Sequence, residues 1–168
     1  MIRGDGRIEI GENVRIMQEV VIDCYGGGGI SIGKGVYVAE GAYLVAEGHL
    51  RIGDDSQVCN RTLIQAMGQK ANIVIGENVM IAHGCNIKTT THEVDVSNEC
   101  MAGACRHDDI RIKNGCWICA GCVIIPGVVV GRKNVVAAGC VVTKSSPDFA
   151  LLAGVPGVVK KIYGSGAE

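Results

Sequence analysis

The sequence predicts an all-β fold, a parallel β-helix of about six triangular coils. Eighteen Ile, Val or Leu residues recur at six-residue spacing in triplets: Ile10, Ile16, Ile22; Ile32, Val38, Leu44; Ile52, Val58, Ile64; Ile75, Ile81, Ile87; Ile112, Ile118, Ile124; Val130, Val136, Val142. Between successive triplets the step lengthens to ten, eight, eleven and twenty-five residues, then returns to six, so extra residues enter only after a third hexapeptide. A chain that turns three corners per coil and admits insertions at one of them has this pattern, and internal repeats of this length signal a solenoid. Glycine follows the first aliphatic in five coils (Gly11, Gly33, Gly53, Gly76 and Gly131), with Lys113 the exception. Such a corner either needs positive φ or has no room for a Cβ.

Each coil in turn carries a second inward position two residues before the aliphatic, since positions two apart on a strand share a face. Val14 and Val20, Val36 and Ala42, Val79, Cys116, Cys122 and Cys140 fill it. Stacked coils at roughly 4.8 Å each give a prism on the order of 25–30 Å long. The helix domain is expected over 1–144, interrupted by a long loop at about 88–109. A tail, 145–168, is expected to pack along it. The insertions, sharing one phase, should all project from one edge of the prism.

Composition sets the outer bounds. At 168 residues the chain is one domain with enough length for a core. Aromatics are only 4%, as an interior filled by Ile and Val leaves little room for rings. A net charge of −1 gives no electrostatic case for binding nucleic acid or an anionic membrane. The repeat begins within ten residues of Met1, so no signal peptide is expected. No apolar run approaches a membrane span, and a soluble cytoplasmic protein is expected.

Nine cysteines, with Cys116-x2-Cys119-x2-Cys122 among them, invite a metal or disulfide reading. The register argues otherwise. Cys85, Cys116, Cys122 and Cys140 fall on the small inward position, where Cys serves as a compact hydrophobe. Cys119 takes a corner and does not share their face. An odd count without a secretion signal also argues against a disulfide framework.

Chemistry is expected in the longest insertion, between Ile87 and Ile112, which holds Thr89-Thr90-Thr91-His92-Glu93-Val94-Asp95 and later His107-Asp108-Asp109. A loop this long without structure of its own is usually functional or disordered.

Three stretches then resemble a known family: Ile-Gly-Glu-Asn-Val-Met-Ile-Ala at 75–82, a loop with His92 five residues past the coil's last aliphatic, and Ile-Lys-Asn-Gly-Cys-Trp-Ile at 112–118. With the close, Ala-Ala-Gly-Cys-Val-Val-Thr-Lys at 137–144 and Ala-Gly-Val-Pro-Gly at 153–157, they look like the hexapeptide-repeat, left-handed β-helix acyltransferases of the sugar and xenobiotic O-acetyltransferase type. The resemblance implies the left hand, an exception to the right-handed crossover rule. It also implies acetyl transfer from acetyl-CoA to a hydroxyl or amine, without a metal, in a homotrimer whose sites lie between subunits.

Carried over residue by residue, the resemblance makes His92 the general base, a task histidine suits because it ordinarily titrates near neutrality. Glu93 or Asp95 would orient its second nitrogen or meet the acceptor. Trp117, directly before inward Ile118, points outward and would line the acceptor site; Asn60 lies near a family asparagine with the same role. Backbone groups of Ala120 and Ala138 would meet the pantetheine arm, Thr143 and Lys144 would contact CoA further along, and Lys161 would face its phosphates. Two other classes stay open. Ala82-His83-Gly84 locally resembles the gamma-class carbonic anhydrases, which bind a metal through three histidines. A non-catalytic trimeric scaffold is the other.

Overall fold

The computed structural model describes residues 1–97 and 99–164 and contains strands and turns without an α-helix. Three parallel sheets form the sides of a prism, each built from one row of the eighteen aliphatics. The first face carries Ile10, Ile32, Ile52, Ile75, Ile112 and Val130 in direct register. The second stacks Ile16, Val38, Val58, Ile81, Ile118 and Val136, and the third stacks Ile22, Leu44, Ile64, Ile87, Ile124 and Val142. All of them are buried except Ile10, which is 43% exposed, and Ile16, which is half-buried. The cause is local: Ile2–Arg3 adds a rung beneath Ile22 on the third face only, so nothing described covers the first coil on the other two.

The corners settle why glycine follows the first aliphatic. A Cβ on Gly53 would lie 2.5 Å from the carbonyl carbon of Gly76, and one on Gly33 would lie 3.0 Å from that of Gly53. Close stacking of coil on coil, not positive φ, excludes a side chain there. Positive φ falls two residues later. At the edge between first and second faces Asn13, Gly35, Asp55, Asn78, Gly115 and Lys133 are left-handed; between second and third, Glu19, Gly41, Arg61, Gly84, Gly121 and Gly139. The short polar side chains of Asn and Asp tolerate this conformation. Each such residue above the first coil donates its N–H to the coil below, as Asp55 does to the Lys34 carbonyl at 2.8 Å and Gly84 to Asn60 at 3.0 Å.

All four insertions leave the remaining edge, between third and first faces. The three short ones lengthen the adjoining strands to four residues, Val21–Cys24 and Gly29–Ile32, Tyr43–Ala46 and His49–Ile52, Leu63–Ala66 and Asn72–Ile75. That brings Cys24, Ile30, Ala46, Leu50, Ala66 and Ile73 into the core. The long insertion, expected as a loop without structure, instead folds into an antiparallel hairpin of Thr90–Val94 and Ala102–His107.

Beyond 144 the chain adds to the helix end. Phe149 takes the left-handed corner over Arg132, and Ala150–Ala153 makes a further parallel rung with Leu152 over Val136. Val158–Ile162 then returns antiparallel to it.

Two substitutions test this packing. Ile81→Asp, which places a carboxylate where burial is complete, should abolish folding by circular dichroism. Gly53→Ala should cost about 1–3 kcal/mol through overpacking, read as a lower urea midpoint, whereas Glu77→Ala on the surface should stay within about 0.5 kcal/mol.

Candidate active site

The hairpin arm rises from the third–first edge because its backbone groups must be paired away from the sheets, and a two-stranded ribbon pairs them internally. Its register sets Thr90 opposite His107, Thr91 opposite Arg106, and His92 opposite Cys105, with an irregularity before Val94 and Ala102. His92 is exposed, and its Nδ1 lies 3.0 Å from the carbonyl oxygen of Gly103. A carbonyl only accepts, so Nδ1 carries the proton and Nε2 presents its lone pair. The Cys105 sulfur sits 3.8 Å from Nδ1 and 3.9 Å from Nε2.

The orienting group is therefore a backbone carbonyl rather than the expected Glu93 or Asp95. Glu93 follows His92 in the same strand and projects to the other side of the ribbon. Asp95 accepts hydrogen bonds from the Ser97 hydroxyl at 2.6 Å and amide at 3.0 Å, which hold its carboxyl below the usual range. A cleft of about 270 Å³ opens between the arm and the third face. His92, Arg106, Lys88, Thr91, Val123 and Pro126 are among its walls.

The remaining predicted residues lie elsewhere on the prism. Trp117 stands outward on the second face, half exposed, between Met80 and Val135 of neighbouring rungs. Asn60, Ala120 and Ala138 share the second–third edge with His83: in successive coils, Gly84 donates to Asn60, Gly121 to His83 and Gly139 to Ala120. The amides of Ala120 and Ala138 take no partner among the described residues. Asn60 Nδ2 donates to Glu40 Oε2 at 2.6 Å, and both line a cleft of about 490 Å³ with Arg61, His83, Gln18 and Glu19. Thr143 and Lys144 follow the last strand of the third face, and exposed Lys161 lies on the terminal hairpin with its ammonium 5.1 Å from the Tyr163 ring. In one chain, His92 and the Ala120–Ala138 row occupy opposite edges of the third face.

Two of these neighbours were not foreseen in the sequence. Gly103 and Cys105 reach His92 only through the arm's antiparallel register. The signal for it, the β-favouring run from Thr90 to Val94, gives no partner by itself.

Five of the nine cysteines behave as core residues. Cys24, Cys85, Cys116, Cys122 and Cys140 are buried, and no cysteine is in a disulfide. Cys116 donates to the Gly131 carbonyl at 2.9 Å, and burial pushes its thiol up to about 11. Contact with Cys85 and burial push the Cys122 thiol up as well. Among the described residues no group of three or more His, Cys, Asp or Glu could hold a metal ion.

Comparison with known proteins bears on this geometry. Residues 109–144 match the family model described as bacterial transferase hexapeptide (six repeats). That match places the hexapeptide repeat on 36 residues of this chain, the last two coils of the prism. A galactoside O-acetyltransferase of Lactococcus lactis is 30% identical over 153 residues, covering 91% of this chain and 62% of the relative. The galactoside O-acetyltransferase of Escherichia coli is 31% identical over 127 residues, covering 75% and 60%. The chain thus spans about three fifths of these two curated relatives. An N-acyltransferase from Bacillus cereus, solved with dTDP and 3-hydroxybutyryl-CoA, superposes with a TM-score of 0.76 at 22% identity, over 92% of this chain and 82% of that one. The likeness is one of fold, the left-handed parallel β-helix.

Thiol reactivity checks the description of the site. In the native protein Cys100 and Cys105, both exposed, should be alkylated first, with Cys116 protected until unfolding. Mass spectrometry of iodoacetamide-treated protein reads the order.

Proposed function

We propose that the protein is an acetyltransferase that moves an acetyl group from acetyl-CoA to a hydroxyl, or amine, of a sugar or similar small acceptor, with His92 as general base. The observation that carries this reading is the His92–Gly103 contact, which leaves Nε2 basic and holds the ring at the mouth of a cleft. His92 Nε2 would take the proton of the acceptor hydroxyl as its oxygen attacks the acyl carbon. A base so placed typically contributes 10²–10⁴-fold. Acetyl-CoA supplies the activated acyl group and a thiolate leaving group.

The second–third edge suits such a donor. The free amides of Ala120 and Ala138 stand one rung apart, about 4.8 Å, close to the separation of the two amides across the β-alanine of pantetheine. Thr143, Lys144 and Lys161 would bind further along CoA. Asn60, Trp117, Glu93 and Asp95 remain the acceptor contacts we propose. Because base and donor row lie on opposite edges, the reading requires a homotrimer with sites between subunits, His92 of one chain facing the Asn60–Ala120 edge of the next. We also place the protein in the cytoplasm, a reading supported by nine cysteines that form no disulfide.

Thiol release from acetyl-CoA, measured over a panel of sugars and amines, tests the activity. His92→Ala should lower turnover by about 10²–10⁴ while leaving CoA binding nearly intact. Lys161→Ala should do the reverse, raising the KM for acetyl-CoA with little change in turnover at saturation. Wild-type turnover in His92→Ala would end the base assignment, and absence of any CoA affinity would end the enzyme reading.

A further inference from the structure

The second–third edge changes character at His83. Its corner column reads Gln18, Glu40, Asn60, His83, Ala120 and Ala138 from the first coil upward. The carbonyls of the first five accept from Gly41, Arg61, Gly84, Gly121 and Gly139 in turn. The two upper members carry only a methyl group, so a ligand can approach their backbone amides closely. His83 is the first member below them whose side chain can exchange a proton. It is exposed, and neither ring nitrogen has a partner among the described residues. It lines the cleft of about 490 Å³ with Glu40, Asn60 and Arg61. Asn60 already engages Glu40 at 2.6 Å. Of the donors around this cleft, only the imidazole can give up a proton near neutrality.

The position of His83 in the column gains meaning from the donor reading proposed above, on which this inference rests. With Thr143, Lys144 and Lys161 binding the nucleotide end, the thiol end of CoA points down the column. The Ala138 and Ala120 amides would meet the two pantetheine amides. The two-carbon arm from the second of these to sulfur is about as long as one rung. One rung below Ala120, about 4.8 Å, stands His83.

We infer that His83 is a second catalytic residue, the general acid that protonates the departing CoA sulfur. The acceptor oxygen bonds to the acyl carbon as His92 Nε2 takes the hydroxyl proton. The carbon–sulfur bond then breaks, its electron pair leaves with sulfur, and the His83 imidazolium supplies the proton. Water carries one proton from His92 back to His83 and restores both groups. A thiol ordinarily titrates at about 8.5, so its expulsion needs less help than that of an alkoxide. The effect therefore belongs at the low end of the range for acid–base groups, about 10²-fold.

NMR on the full chain, with histidine rings and backbone amides labelled, tests the placement apart from turnover. CoA should move the His83 ring signals together with the Ala120 and Ala138 amides. Desulfo-CoA, which lacks the sulfur, should move the amides alone. CoA that moves these amides and leaves His83 unmoved overturns the inference and keeps the proposed function; CoA that does not bind at all overturns both. Kinetics test the role. His83→Ala should lower turnover at saturation by about 10² with little change in the KM for acetyl-CoA. His83→Gln, which can donate a hydrogen bond but not yield a proton, should do no better. Wild-type turnover in either variant overturns proton donation by His83 while leaving the acetyltransferase reading in place.

Discussion

The rung-to-rung hydrogen-bond register governs the molecule. Every strand in the prism bonds to the equivalent strand one coil away without slippage, so residue i of one coil lies directly over its counterpart in the next. A side chain's direction is then set by its place in the hexapeptide, and its height by the coil number. The core is one column of Ile, Val and Leu per face. Even the polar exceptions obey the column: Ser56, Thr62 and Asn134 occupy the small inward position, and each hydroxyl or amide bonds a backbone group of an adjoining coil or turn. Full satisfaction is what allows polar groups to be buried there.

This constraint explains how much was legible in the sequence. The aliphatic rows of Ile10, Ile16 and Ile22 and their successors are visible as a period of six, and the structure reproduces that register rung by rung. The inward cysteines and outward Trp117 followed from alternation. The arm was not legible beyond its length. Within it the period of six is lost, and the pairing of His92 with Cys105 depends on the antiparallel register of Thr90–Val94 with Ala102–His107, not on stacking. The orienting group of His92 was also hidden, because a backbone carbonyl leaves no trace in residue identity. A carboxylate at Glu93 or Asp95 was the natural expectation; strand alternation turns one away, and Ser97 engages the other. Burial of Ile10 failed for a reason outside the repeat itself, since a row needs a neighbour on both sides.

Insertions confined to one edge have a chemical consequence. Two edges of the prism are tight corners whose left-handed residues bond to the coil below, leaving no slack for added chain. The third–first edge has no such bonded corner in every coil, so it is where length can vary without breaking the ladder. Any functional element longer than a turn must emerge there, and the arm carrying His92 does. Conversely, an unbroken edge such as the Asn60–His83–Ala120–Ala138 row offers a repeating line of backbone groups at fixed spacing. In the reading proposed, a base carried on an arm and a line of amides at fixed spacing thus arise on different edges for the same reason.

In the reading proposed, separation of those edges makes assembly part of the chemistry. An isolated two-stranded hairpin is marginally stable in water, and this arm turns Val94, Val96 and Met101 to solvent. The Gly103 carbonyl can hold the His92 ring only while the hairpin itself is held. A surface that covers the arm would therefore do two things at once: bring the opposite edge to Nε2 and fix the imidazole that uses it. In the trimer proposed, the neighbouring copy supplies that surface. The base would be ordered and the donor row delivered by one packing event, which ties turnover to the association equilibrium of the chain.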